Sequence, residues 1–190
     1  MFRDLVLTNR SYRRFHESES IDEATLKSLV DLARCTPSAA NLQSLKYILS
    51  YTPERNATVF ATLGWAGYLT EWPGPVEGER PSAYIIILGD TRISKNFFCD
   101  HGIAAQTILL GATEMGYGGC MFGSIDRDKL RAELAIDERF EILLVIALGK
   151  PVEKVVLEEV GPDGSIKYYR DEAAVHHVPK RALDEIIVEK

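Results

Sequence analysis

Apolar side chains at Leu26, Leu29, Val30 and Ala33 recur at helical spacing, and Ser20 stands three residues before Glu23, the spacing of a capping box that would open this helix. Pro37 stops it. Lys46 to Tyr51 has strand character, and Pro53 to Leu69 carries a weaker helical pattern. Prolines and glycines interrupt Trp72 to Pro81, which predicts an exposed loop of the kind that forms lids or substrate walls. Ala83 to Leu88 is rich in β-formers and runs into the turn signal Gly89-Asp90. From Phe97 to Met115 apolar residues occupy most sides (Ile103, Ala104, Ala105, Ile108, Leu109, Leu110, Ala112), which predicts a central helix buried in the fold or at a subunit interface. Gly116 is its natural cap, Cys120 to Phe122 a short strand, and Asp126 the cap of a surface helix carrying Leu130 and Leu134. Phe140 to Leu148 is the most apolar strand. Val155 to Val160 and Ile166 to Tyr169 flank Gly161-Pro162-Asp163-Gly164 as a predicted hairpin, and the mixed stretch Leu183 to Lys190 closes the chain.

Helices and strands do not alternate strictly, so the pattern favours an α+β fold over a doubly wound sheet. With 190 residues, 46% of them hydrophobic, one domain over 1–190 with a single core is expected. The longest apolar runs, Tyr84 to Leu88 and Ile142 to Leu148, fall far short of the ~20 residues that span a bilayer. A net charge of −6 argues against general binding to nucleic acid or anionic membrane. Any anionic ligand must then be held by a local cation cluster. Cys35, Cys99 and Cys120 have no CxxC spacing and follow no secretory prelude, which points to a reducing, cytoplasmic setting without a disulfide framework or zinc site.

Arg10-Ser11-Tyr12-Arg13-Arg14-Phe15 concentrates three guanidiniums and a hydroxyl. Crowded guanidiniums repel one another unless an anion is near, and their forked donors match phosphate. A phosphate monoester is one guest; a solvated turn paired with Glu17 and Glu19 is the alternative. Thr36 to Gln43 places small residues and then two amides after a helix-stopping proline, a loop that admits a flat ligand to the backbone or serves as an ordinary polar connection. Gly116-Tyr117-Gly118-Gly119 follows a helix and precedes a strand, the wrong order for a dinucleotide fingerprint. His176-His177-Val178-Pro179-Lys180-Arg181 could complete a phosphate site or begin a helix, and its adjacent histidines are ill placed to chelate one metal. His101 is expected on the buried helix with a satisfied hydrogen bond. No nucleophile can be matched to a base by spacing, so any catalysis points to a cofactor that brings its own chemistry.

These segments, in this order, resemble the flavin-dependent nitroreductase family. Arg10, Ser11, Arg13 and Phe15 match its Arg-Ser-x-Arg-x-Phe motif; Pro37, Ser38, Asn41 and Gln43 match its Pro-Ser-x-x-Asn-x-Gln stretch. The central helix, the Gly116-Gly118 turn, Leu148 to Pro151 and the basic Lys180-Arg181 follow in register. The chain departs from the pattern at Ser44-Leu45, where the family often has Pro-Trp, and at Asn9, where it often has a cation. The resemblance implies a mostly antiparallel central sheet packed with helices in an intertwined homodimer, with FMN in two sites built from both chains. Arg10, Ser11 and Arg13, with Lys180 or Arg181, would hold the phosphate and ribityl chain. Pro37, Ser38 and Asn41 would reach the flavin from the other subunit, and the Gly118 to Gly123 segment, with Gly118 and Gly119 at its start, would run along its ring. It further implies ping-pong hydride transfer from NADH or NADPH to a small electron-poor acceptor, nitroaromatic- or quinone-like. Alternatives on the same scaffold are dehalogenation, dehydrogenation or flavin fragmentation, or a non-catalytic flavin carrier or sensor.

Overall fold

The computed structural model describes residues 1–188; Glu189 and Lys190, the end of the mixed stretch, lie outside the described residues. At its centre is a four-stranded antiparallel sheet of order β1-β2-β4-β3, formed by β1 (Leu45–Ser50), β2 (Ala83–Asp90), β3 (Gly118–Phe122) and β4 (Phe140–Gly149). Every residue of β2 is buried, because helices cover both faces of the sheet. This is why β2 and β4 read as continuous apolar runs instead of alternating. Ile85, Ile87, Ile146 and Leu148 meet α2 (Glu23–Arg34) and α4 (Asp100–Glu114) on one face. Tyr84, Ile86, Val145 and Ala147 lie on the other, with Val59 of α3 (Pro53–Phe60) and Leu130 of α5 (Arg127–Glu133). The fold is therefore α+β, with an antiparallel sheet and helices on both sides.

Several local expectations shift. The cap of α2 is Asp22, whose carboxylate accepts the Thr25 amide at 2.8 Å, and not Ser20. Glu23 is already the first helical residue and instead pairs with Lys27 at 2.9 Å. α3 stops at Phe60, far short of Leu69, because Leu63 leaves the helix to bridge Ile125. β2 continues through Gly89-Asp90, where the Asp90 amide donates to the Ser44 carbonyl. Asp126 does cap α5, accepting the Lys129 amide, and Gly116 follows α4 with φ +81°, a value that favours glycine.

A second, three-stranded sheet of order β5-β7-β6 replaces the expected hairpin. β5 (Val155–Glu159) pairs parallel with β7 (His176–Lys180), while β6 (Tyr169–Arg170) pairs antiparallel with β7. Two short helices, α1 (Phe2–Thr8) and α6 (Leu183–Ile186), contain no buried residue. Among the described residues no helix is long and apolar enough to cross a membrane.

Candidate functional site

After α1 the chain is laid along the sheet edge. Ser11 bridges Gly119 in parallel, the Tyr12 amide donates to the Gly119 carbonyl at 3.0 Å, and fully buried Phe15 bridges Pro151. The glycines permit this approach: a Cβ on Gly118 would stand 2.5 Å from the Tyr12 ring, and one on Gly119 2.2 Å from the Ala147 carbonyl. Gly118 and Gly119 thus lie buried beneath the Arg10–Arg13 segment, and Met121 is the residue of β3 that reaches the adjoining cavity.

That cavity, of about 400 Å³, is walled by Asn9, Arg10, Ser11, Arg13, His176 and Lys180, with Leu109 of α4, Met121 and Val178 supplying apolar surface. Arg10 is held by an Nη2 bond to the Val6 carbonyl at 2.7 Å. Arg13 lies over the Tyr168 ring at 4.8 Å, and its Nη1 contacts the Ser11 carbonyl and His176 Nε2, each at 3.3 Å. A guanidinium can only donate, so His176 Nε2 accepts and the ring proton sits on Nδ1. Burial, followed by the charges of Arg13, Arg170 and His177, pulls the His176 pKa down to about 4, leaving a neutral ring at physiological pH.

Glu153 organises the cradle from below. Its carboxylate accepts the Arg13 backbone amide through one oxygen and Arg170 Nη2 through the other, the latter at 3.0 Å. Arg170 in turn lies over the Trp72 ring at 4.2 Å, and the Tyr68 and Tyr168 rings meet tilted with centroids 4.9 Å apart, so the start of the Trp72–Pro81 loop is pinned to the second sheet near the cavity. Arg14 leaves the cradle: both its Nε and Nη2 bond Glu79, not the nearby Glu17 or Glu19. Arg181 also stands apart, 3.4 Å from Glu185 at the surface. Of the basic C-terminal pair only Lys180 lines the cavity.

A phosphate monoester fits what remains. Arg10, Arg13 and Lys180 meet in one space, and Asn9 Nδ2, Arg10 Nε and His176 Nδ1 are buried with no hydrogen-bond partner among the described residues. Three orphaned donors and three cations around one cavity ask for an anionic, oxygen-rich ligand, since buried donors left unpaired are costly.

Pro37, Ser38 and Asn41 are not brought to this cavity within the chain. Pro37 and Ser38 line a different one, of about 290 Å³, with Val30, Tyr47 and Asp100. The Ser38 hydroxyl donates to Asp100 at 2.8 Å and accepts the Gln43 amide at 3.0 Å, while the Ala39 amide also donates to Asp100. Asp100 opens α4, where the helix N-terminus favours its charge. The loop it anchors holds Ala40, Asn41 and Gln43 at φ +49°, +54° and +51°, left-handed conformations costly for residues other than glycine and concentrated at functional sites. The two groups of residues flank α4, with Asp100 at its start and Gln106 and Leu109 further along it.

Other candidates fall away. Cys120 is buried and its thiol is pushed up to about 12, which rules out a thiolate nucleophile at neutral pH. His101 Nδ1 has no hydrogen-bond partner among the described residues, contrary to the satisfied bond expected of it. Glu153, Tyr168 and Gln106 carry no sequence signal, because each lies more than ninety residues along the chain from the Arg10–Arg13 segment it joins.

The sequence profile of the Nitroreductase family matches residues 6–150. YodC of Bacillus subtilis (strain 168), a candidate NAD(P)H nitroreductase, is 22% identical over 79% of this chain and 89% of its own length. Among solved structures, CLA-ER, an enone reductase of gut-bacterial fatty acid saturation metabolism, superposes with TM-score 0.67 and 21% identity over 80% of this chain and 89% of its own. A candidate nitroreductase from Exiguobacterium sibiricum 255-15, solved in complex with FMN, gives TM-score 0.65 and 17% identity over 80% and 89% of the two chains. The motif order, the antiparallel sheet and a profile match across most of the chain together establish that it belongs to the nitroreductase family.

Proposed function

We propose that the protein is an FMN-dependent oxidoreductase that moves hydride from NADH or NADPH to a small electron-poor acceptor, nitroaromatic- or quinone-like, as a homodimer with two-chain sites. The observation that carries this reading is the convergence of Arg10, Arg13 and Lys180 with three unpartnered donors on one cavity. FMN, when bound, would supply reversible two-electron hydride chemistry, which amino-acid side chains do not carry.

The chain's contribution is binding and orientation. Arg10, Arg13 and Lys180 would neutralise the phosphate, while Asn9, Ser11 and the Nδ1–H of neutral His176 offer hydrogen bonds to its oxygens or to ribityl hydroxyls. The strained Pro37–Gln43 loop would complete the partner's site, which accounts for its separation from the cradle within one chain. The nicotinamide donor is supported by the activity in the name of YodC. A single open pocket visited in turn by donor and acceptor gives ping-pong kinetics.

Purified protein should carry a flavin band near ~450 nm that bleaches under anaerobic NADH or NADPH. Initial-rate plots against acceptor should then be parallel. A band inert to both nicotinamides would instead make the protein a flavin carrier or sensor, and colourless protein that cannot be reconstituted with FMN would remove the cofactor altogether.

A further inference from the structure

On the opposite face of the sheet from the phosphate cradle is a smaller cavity of about 140 Å³, and the redox reading assigns it nothing. Beside Glu17, Ser20 and Asn56, its polar lining includes one alternating run: Arg80, Ser82 and Tyr84 are two residues apart, so they present to the same side as the chain enters β2. Phe60 of α3 forms the facing wall, and the Arg80 guanidinium lies over its ring at 4.6 Å.

None of the three polar groups is satisfied. Tyr84 is fully buried and Ser82 is 6% exposed, yet neither hydroxyl has a hydrogen-bond partner among the described residues, and buried Arg80 Nε has none either. Two of the neighbouring acceptors are partly engaged elsewhere. Asn56 Oδ1 accepts the Ser50 hydroxyl and its Nδ2 donates to the Ser82 carbonyl at 2.7 Å, bracing the strand. Glu17 Oε2 accepts the backbone amides of Gly78 and Arg80, and the Glu17 carboxylate makes no ion pair with the Arg80 guanidinium. Burial pushes the Tyr84 phenol well above its ordinary pKa, so it stays a donor. Three unpaired groups able to donate on one small cavity favour a ligand rich in acceptor atoms.

The chemistry narrows further. A guanidinium beside two hydroxyls matches a planar carboxylate, whose paired oxygens take the forked donors of arginine. The Glu17 carboxylate on the wall opposes a second negative charge and so disfavours phosphate or sulfate dianions. Pro53, Ala57 and Pro81 join Phe60 as apolar lining for a short alkyl tail, and the small volume limits that tail to a few carbons. We propose that this cavity binds a short-chain monocarboxylate, held at its carboxylate by Arg80, Ser82 and Tyr84 with its tail against Phe60.

The site is independent of the flavin assignment, and its test does not use turnover. Purified full-length protein is titrated with propionate and, separately, with inorganic phosphate, following bound ligand by carboxyl-labelled carbon NMR and calorimetry. Saturable propionate binding is expected, weakened at least tenfold in Tyr84→Phe and in Arg80→Gln, with phosphate failing to displace it at equal concentration. Ser82→Ala, a smaller change, guards against a folding defect in either variant, and unchanged circular dichroism confirms the fold. No saturable binding, binding indifferent to all three substitutions, or displacement by equimolar phosphate would each overturn the proposal, the first leaving the donors to ordered water.

Discussion

Arg13 joins local and distant parts of the chain: its Nη1 meets Ser11 and His176, its face meets Tyr168, and its amide is fixed by Glu153. Nε and Nη2 make no hydrogen bond among the described residues and remain for a ligand. A charge-assisted contact contributes about 1.5–3 kcal/mol, so Arg13→Ala should weaken FMN about ten- to a hundredfold. Flavin fluorescence titration measures this, and parental affinity in the variant would remove Arg13 from the phosphate site. Glu153 makes a different prediction. Its side chain is fully buried, and Glu153→Ala would strand Arg170 and the Arg13 amide, costing about 3 kcal/mol in a urea melt. Glu153→Gln keeps an acceptor for the amide and should recover part of that loss. The cations at 10 and 13 were legible because their crowding is local to six residues. His176 was legible within the basic C-terminal segment, but its pairing with Arg13 was not, and neither were Glu153 and Tyr168, because burial and pairing across 140 residues or more leave no trace in local spacing.

The same limit applies to whole elements. The helices and central strands follow from period and caps, but Gly161-Pro162-Asp163-Gly164 suggests a hairpin from local turn chemistry alone, and turn chemistry cannot specify that β5 would pair instead with residues 21 positions further along. What joins β5, β6 and β7 is partly His177, whose Nδ1 lies 3.0 Å from Glu158 and Nε2 3.2 Å from Asp171. Asp171 and then Glu158 raise the His177 pKa above 6.5, so its folded value exceeds the unfolded one. Its stabilisation is therefore complete below about pH 6.5 and lost as pH rises through the raised pKa. Asp171, lowered below 3.8 by the Val175 amide and His177, acts with the opposite sign at its own end, losing its contribution as pH falls through the lowered value. His176, depressed to about 4, also opposes acidification, its contribution falling between pH 6.5 and about 4. Amide-exchange protection factors in β5 and β7 should thus drop between pH 6 and pH 9 in the parent protein. His177→Gln should lack that drop; an identical pH response in both would dissociate His177 from the sheet's stability.

At the scale of the molecule, the proposed flavin site is divided between two regions that one chain does not bring together, and the surface suggests where a second copy would sit. Phe2 is 73% exposed, Leu183 69% and Val188 83%, and neither α1 nor α6 buries a residue. Apolar ends of this kind are stable when another subunit covers them. An isologous dimer would cover both ends twice and bring each Pro37–Gln43 loop to the partner's Arg10–Arg13 cradle. Complementation separates this arrangement from a site contained in one chain. Arg13→Ala and Asn41→Ala, each prepared alone, should bind FMN poorly, since every site in either homodimer carries one lesion. After subunit exchange in equal amounts, half the dimers are mixed, and each mixed dimer holds one site with both lesions and one with neither. About a quarter of all sites should then regain parental affinity, seen as a tight phase in flavin titration. If cradle and loop served the same chain's flavin, every site in the mixture would keep its lesion and no tight phase would appear.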